Sequence, residues 1–151
     1  MGQRPRWGEH GQRIDVQALA TSFRVIVTMG RPAVRQRFVG SLESDQRALT
    51  LVHPDATVGP AGGIGTGTLV SPGTRLAAAI EIGAYCLIHT SAVLSHDNVI
   101  GDFVTISPSA TLTRGATEHE RASVGAGAPV TRDVKPGTTV VGVPARVRAG
   151  P

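Results

Sequence analysis

From Val52 to Val130 an aliphatic residue returns at every sixth position: Val52, Val58, Ile64, Val70, Leu76, Ile82, Ile88, Leu94, Ile100, Ile106, Leu112, then Glu118, then Val124 and Val130. Four residues after each comes a second series, mostly small: Ala56, Gly62, Thr68, Thr74, Ile80, Cys86, Ala92, Asn98, Val104, Ala110, Ala116, Ala122, Ala128 and Val134. A helix repeats every 3.6 residues and drifts off a strict six, and a strand alternates every two with no reason to reset. A prism whose flat sides each take about six residues does have that reason. One aliphatic residue per side points inward and a small one fits near each corner. Three sides close a coil, so residues eighteen apart stack. Each fully buried aliphatic contributes roughly 1.5–3 kcal/mol, and Gly and Pro pairs such as Pro72-Gly73 supply turns.

The beat falters at Glu118. A carboxylate is costly in an apolar interior, so the charged stretch Thr113 to Ser123 is predicted to leave the prism as a loop. Beyond Val130 the apolar run Val140, Val141 and Val143 is expected to close the open end. Before Val52 the pattern is different. Residues 1–13 are polar, basic and Gly-rich and read as a flexible leader. Residues 14–50 read as a small, partial α/β piece. Phe23 to Thr28 is predicted as a buried strand and Ala48 to Val52 as a second. Between them lies a helix opened by Pro32, with Val34, Phe38 and Leu42 at helical spacing. Residues 51–148 then form the repeat domain and its cap.

Composition narrows this picture. Aromatic residues make up 3% of 151 residues, so the core must be filled by Val, Ile, Leu and Ala, which suits a narrow repetitive interior. The single cysteine, Cys86, excludes an internal disulfide and fits a reducing compartment. Cys86 falls in the small-residue series, where packing explains it better than nucleophilic chemistry. Without an apolar run long enough to span a membrane, or a cleavable leader, a cytoplasmic protein is expected. The formal charge of +4 is modest and has no accompanying basic-aromatic patch, so a phosphate-bearing small ligand explains it as well as nucleic acid does.

The candidate chemistry lies in LSHDNVIGDFVTIS, Leu94 to Ser107. His96 is two residues past the inward Leu94, so its ring can leave the prism at a corner, with Asp97 beside it. A neutral imidazole suits general-base work near pH 7, and a neighbouring carboxylate can orient it. His53, within HPDA, reads as structural. His89, two coils beyond His53 in the same column, reads equally as structural or as a pocket wall. A metal is not expected, because His89 and His96 are seven apart and no third histidine has convincing spacing.

Four motifs resemble the hexapeptide-repeat acyltransferases, and within them the NeuD-like sugar O- and N-acetyltransferases. LVHPDATV (Leu51 to Val58) resembles the entry into the first coil, and LSHDNVIGDFVTISP (Leu94 to Pro108) the catalytic stretch. VGAGAPVTRDVKPG (Val124 to Gly137) and VVGVPARV (Val140 to Val147) resemble the closing coil and cap. The resemblance implies an all-β fold dominated by a left-handed parallel β-helix. It also implies a homotrimer, acetyl-coenzyme A as co-substrate, and a sugar or nucleotide-linked sugar as acceptor. His96 would be the base and Asp97 its partner. His89 and Thr105 would meet the acceptor, Thr105 replacing a second histidine common in the family. Arg114, Gly115, Gly125, Ala126, Arg132, Lys135 and Arg146 would meet the coenzyme. Position 114 lies one coil above His96, where the family usually has glycine as the oxyanion donor. The resemblance further implies a chain lacking the early Gly-rich turn of the family's N-terminal domain, and about one coil shorter between Ile106 and the closing motif. These departures keep a second expectation in view: a trimeric β-helix scaffold without catalysis.

Overall fold

The computed structural model describes residues 24–42 and 48–148. Phe23 and the expected leader lie outside them. One helix, α1 (Pro32–Val39), precedes a series of two-residue strands. These are β1 (Leu51–Val52), β2 (Thr57–Val58), β3 (Gly63–Ile64), β4 (Leu69–Val70), β5 (Arg75–Leu76), β6 (Glu81–Ile82) and β7 (Leu87–Ile88). They continue as β8 (Val93–Leu94), β9 (Val99–Ile100), β10 (Thr105–Ile106), β11 (Thr111–Leu112), β12 (Thr117–Glu118), β13 (Ser123–Val124) and β14 (Pro129–Val130). The chain closes with β15 (Thr139–Val141) and β16 (Arg146–Val147).

The strands stack into three parallel walls, so the molecule is the expected parallel β-helix. The first wall runs β1-β4-β7-β10-β13-β15, with β16 added antiparallel; the second runs β2-β5-β8-β11-β14; the third runs β3-β6-β9-β12. Register confirms the eighteen-residue coil: Leu76 pairs with Leu94, Leu94 with Leu112, and Leu112 with Val130. The inward series from Val70 to Val130 is buried, and with the small series it forms one continuous core. At the other end, Val52 is 42% and Val58 50% exposed.

Every sixth residue from 61 to 127 has a positive φ, which turns each corner. Glycine fills this position at Gly67, Gly73, Gly115 and Gly127, while Ala61, Ala79, Tyr85, Ser91, Asp97, Phe103, Ser109 and Arg121 take it with a side chain. The next residue belongs to the small series, and its polar members staple neighbouring coils. Thr68 donates to the Gly83 carbonyl (2.8 Å), Thr74 to His89 (3.3 Å), the Cys86 thiol to Gly101 (3.0 Å), and Asn98 to Thr113 (2.7 Å). Burial pushes the Cys86 thiol up to about 11, so it stays protonated and packs as a small hydrophobe.

Two expectations are corrected. Thr113 to Ser123 is not an excursion from the column. β12 pairs with β9 in unbroken register, and Glu118 is fully buried in the inward slot. The irregularity falls one coil later. Val134 bridges Glu118 and Val140 pairs with Val124, each sixteen residues on instead of eighteen, so the corner at 131–133 is two residues short.

The N-terminal piece is also simpler than its hydrophobic run implied. FRVIVT yields one bridge, Val25 to Ala48, because Ala48 is its sole strand partner among the described residues. Helix α1 begins at Pro32 as expected, yet Val34 on the supposed buried face is 43% exposed and Arg35 is fully buried. The Arg35 guanidinium donates to the carbonyls of Met29, Tyr85 (2.8 Å), Phe103 (2.6 Å) and Val104 (3.2 Å), and to the Thr105 hydroxyl (3.0 Å). A single arginine thus bolts the N-terminal piece to the first wall of the column.

Candidate active site

The corner between the second and third walls carries His96 and Asp97. Asp97 is its positive-φ residue, a conformation aspartate tolerates better than most. Backbone bonds fix the corner on both sides: the Asp97 N–H donates to Ala78 (3.2 Å) and the Gly115 N–H to His96 (3.2 Å). Asn98, the next residue, adds two bonds to the coil above, from its amide to Thr113 (2.7 Å) and Ala116 (3.1 Å). The sequence placed Asn98 only in the small-residue series. Its reach to the neighbouring coil leaves no periodic signal in the sequence.

His96 Nδ1 lies 2.8 Å from Asp97 Oδ2, and both side chains are about half exposed, at 48% and 49%. An ionised carboxylate only accepts, so the proton belongs on Nδ1 and the lone pair on Nε2. The bond from His96, with the positive charge of Arg114, holds the Asp97 carboxyl below its usual range. Arg114 stands one coil above His96, its Nε 3.4 Å from the same Asp97 Oδ2. Gly115 has its N–H engaged at the His96 carbonyl. Among the described residues the Arg114 N–H is left without a backbone partner, so it is a donor open to a ligand one coil above His96.

The remaining candidates fall elsewhere. His89 and Gly125 share a column at the corner between the first and second walls, a different corner from that of His96. His89 is half-buried, and burial followed by the charge of Arg35 pushes its imidazole below the usual histidine range. Thr105 is buried on the first wall, where it accepts from Arg35 and donates to the Gly30 carbonyl (3.1 Å). It is covered by the N-terminal piece and lies on no open surface. Gly125 is close to Val141, whose Cγ1 would sit 2.8 Å from an added Cβ, and Ala126 beside it is exposed. Arg132 and Arg146 line a cleft of about 240 Å³ at the end of the column, floored by Val130, Val134 and Val140. Lys135 is exposed near it. His53 is structural, its Nδ1 accepting from the Asp55 N–H (3.1 Å). Among the described residues no cluster of three or more His, Cys, Asp or Glu is placed to hold a metal, and no helix is long and apolar enough to cross a membrane.

No protein-family model and no curated protein matches the chain. Solved structures do. The acetyltransferase domain of PglB from Neisseria gonorrhoeae FA1090 is 28% identical, with a TM-score of 0.73 over 87% of this chain and 74% of its own. WeeI from Acinetobacter baumannii AYE is 31% identical, with a TM-score of 0.64 over 83% of this chain and 70% of its own. A variant of perosamine N-acetyltransferase from Caulobacter crescentus, in complex with CoA and GDP-perosamine, is 25% identical, with a TM-score of 0.69 over 89% and 71%. The six-residue coil, the His-Asp corner and these likenesses agree, and the chain belongs to the hexapeptide-repeat acyltransferases, in their NeuD-like sugar acetyltransferase branch.

Proposed function

We propose that the chain transfers an acetyl group from acetyl-coenzyme A to an amino or hydroxyl group of a sugar or nucleotide-linked sugar, with His96 as general base. The observation that carries this reading is the 2.8 Å contact between His96 Nδ1 and Asp97 Oδ2 on a half-exposed corner. Bound acetyl-coenzyme A supplies an activated acyl carbonyl. His96 Nε2 then takes the proton from the attacking amine or hydroxyl as its N or O bonds the acyl carbon, Asp97 holds the ring and offsets the charge it gains, and the C–S bond breaks with that proton passing to the departing thiolate. The Arg114 N–H is the backbone donor available to charge on the acyl oxygen. The cleft with Arg132 and Arg146 over an aliphatic floor fits a ligand that carries both phosphates and an alkyl arm. The relative that binds CoA and GDP-perosamine supports the donor and acceptor classes. A homotrimer in the cytoplasm belongs to the same reading.

A thiol-release assay with acetyl-coenzyme A and a panel of amino sugars, free and nucleotide-linked, tests it. Turnover lost in His96→Ala and kept in His89→Ala is the expected result. A second reading, a non-catalytic trimeric scaffold, draws on the covered Thr105 and on Arg114 at a glycine position. The absence of turnover with every acceptor, together with the absence of coenzyme binding by calorimetry, would establish that reading and remove the first.

A further inference from the structure

Among the described residues three buried side-chain polar atoms have no hydrogen-bond partner: Asn98 Oδ1 and both carboxyl oxygens of Glu118. All three are acceptors, so what the column lacks around them is a donor. Glu118 is 0% exposed and fills an inward slot between Ile100 and Val134, its register neighbours on either side. Leu112 and Val124 hold the inward slots just before and after it. These inward neighbours are all aliphatic, and among the described residues no cation is set against it. The one charged group set against it is Asp133, of like sign, whose Oδ1 accepts from the Thr117 N–H (3.0 Å). His119, Glu120 and Arg121 on its own chain segment are exposed.

An ionised carboxylate with two unpaired oxygens costs far more in such a site than a protonated one. We propose that Glu118 is a proton-dependent latch: neutral, it lies inside the column and seats the last coil; ionised, it is driven out and releases that coil. The released segment is the one already shortened by two residues. It is tied to β12 by the Val134 N–H to Thr117 (2.9 Å) and the His119 N–H to Val134 (3.0 Å). It also carries Arg132 and the wall of the end cleft. The latch concerns the fold alone and stands whether or not the acetyl-transfer reading does.

Burial, and after it the charge of Asp133, pushes the Glu118 carboxyl from 4.5 up to about 8. A carboxyl raised on folding binds its proton in the native chain and loses it in the unfolded one. Its stabilising effect is therefore complete below about 4.5 and is lost as pH rises to about 8. The test is urea unfolding of the whole chain between pH 5 and 9, at one protein concentration, for wild type, Glu118→Gln and Glu118→Val. The expected result is a wild-type unfolding constant that rises, relative to either variant, by up to about tenfold per pH unit until it levels near pH 8. The protection of the Val134 and His119 amides, taken relative to the base-catalysed intrinsic exchange rate at each pH, should fall over the same range in wild type alone. Parallel pH dependence in wild type and variants would overturn the latch. Should neither variant fold, infrared spectroscopy of wild type at pH 6.5 decides: a protonated carboxyl band that vanishes by pH 9 supports it, and its absence at pH 6.5 overturns it.

Discussion

Asp97 serves two donors with one oxygen. Oδ2 meets His96 Nδ1 at 2.8 Å and Arg114 Nε at 3.4 Å, so the carboxylate is anchored from above while it fixes the ring below. In Asp97→Asn the amide can donate as well as accept, and the tautomer that leaves Nε2 free is no longer enforced. We expect kcat to fall by roughly 10- to 100-fold, less than the about 10⁴-fold seen where such a carboxylate is buried, because Asp97 is half exposed. Steady-state kinetics measures this, and an unchanged kcat would take Asp97 out of the mechanism. Arg35 is the opposite case, a cation with no carboxylate partner among the described residues, held by four carbonyls and a hydroxyl. Its removal leaves those acceptors buried and unpaired. Arg35→Ala should destabilise the chain by roughly 2–4 kcal/mol in urea unfolding, with early proteolysis near α1. A loss below about 1 kcal/mol would mean that water replaces the guanidinium at no penalty.

The corner is the element from which the column is built, and it separates two demands on sequence. The positive φ is a backbone demand, met by glycine at four of the repeated corners and by larger residues at the others. Ser109 is exposed with φ 58, so Ser109→Gly should raise stability by about 1 kcal/mol. Gly127 has φ 65 and open space where a Cβ would stand, so Gly127→Ala should lower it by a similar amount through conformation alone. Thermal melts of the two variants should move in opposite directions. The small slot that follows is a packing demand, and there the sequence was only partly legible. Smallness at Thr68, Thr74, Cys86 and Asn98 was visible from the six-residue beat. That each of them reaches the neighbouring coil was not, because a hydrogen bond to a carbonyl fifteen residues on leaves no periodic trace.

At the level of the molecule, what was legible is what spacing alone imposes. Three walls, the eighteen-residue register and the placement of Arg114 over His96 follow from the beat, and all are present. Glu118 was misread because the cost of burying its side chain was weighed without the backbone ladder, which holds β12 in place from both sides. Arg35 was missed because its neighbours share helical spacing and arginine is seldom buried. The outward slots bear on assembly. Val93 and Val99 flank the His96 corner on the second and third walls, 40% and 48% exposed. Apolar groups beside a dyad that is itself open to solvent suit a surface that a second chain covers, which is how the proposed homotrimer would enclose the acceptor. Sedimentation of wild type should then give three times the 15.6 kDa chain. Val99→Arg, which places a charge in that contact without touching the core, should shift the mass to the single chain and keep the β circular dichroism. Turnover should fall together with the trimer fraction as protein is diluted. A wild-type monomer with full turnover would show instead that one column completes the site by itself, and that Val93 and Val99 are ordinary surface residues.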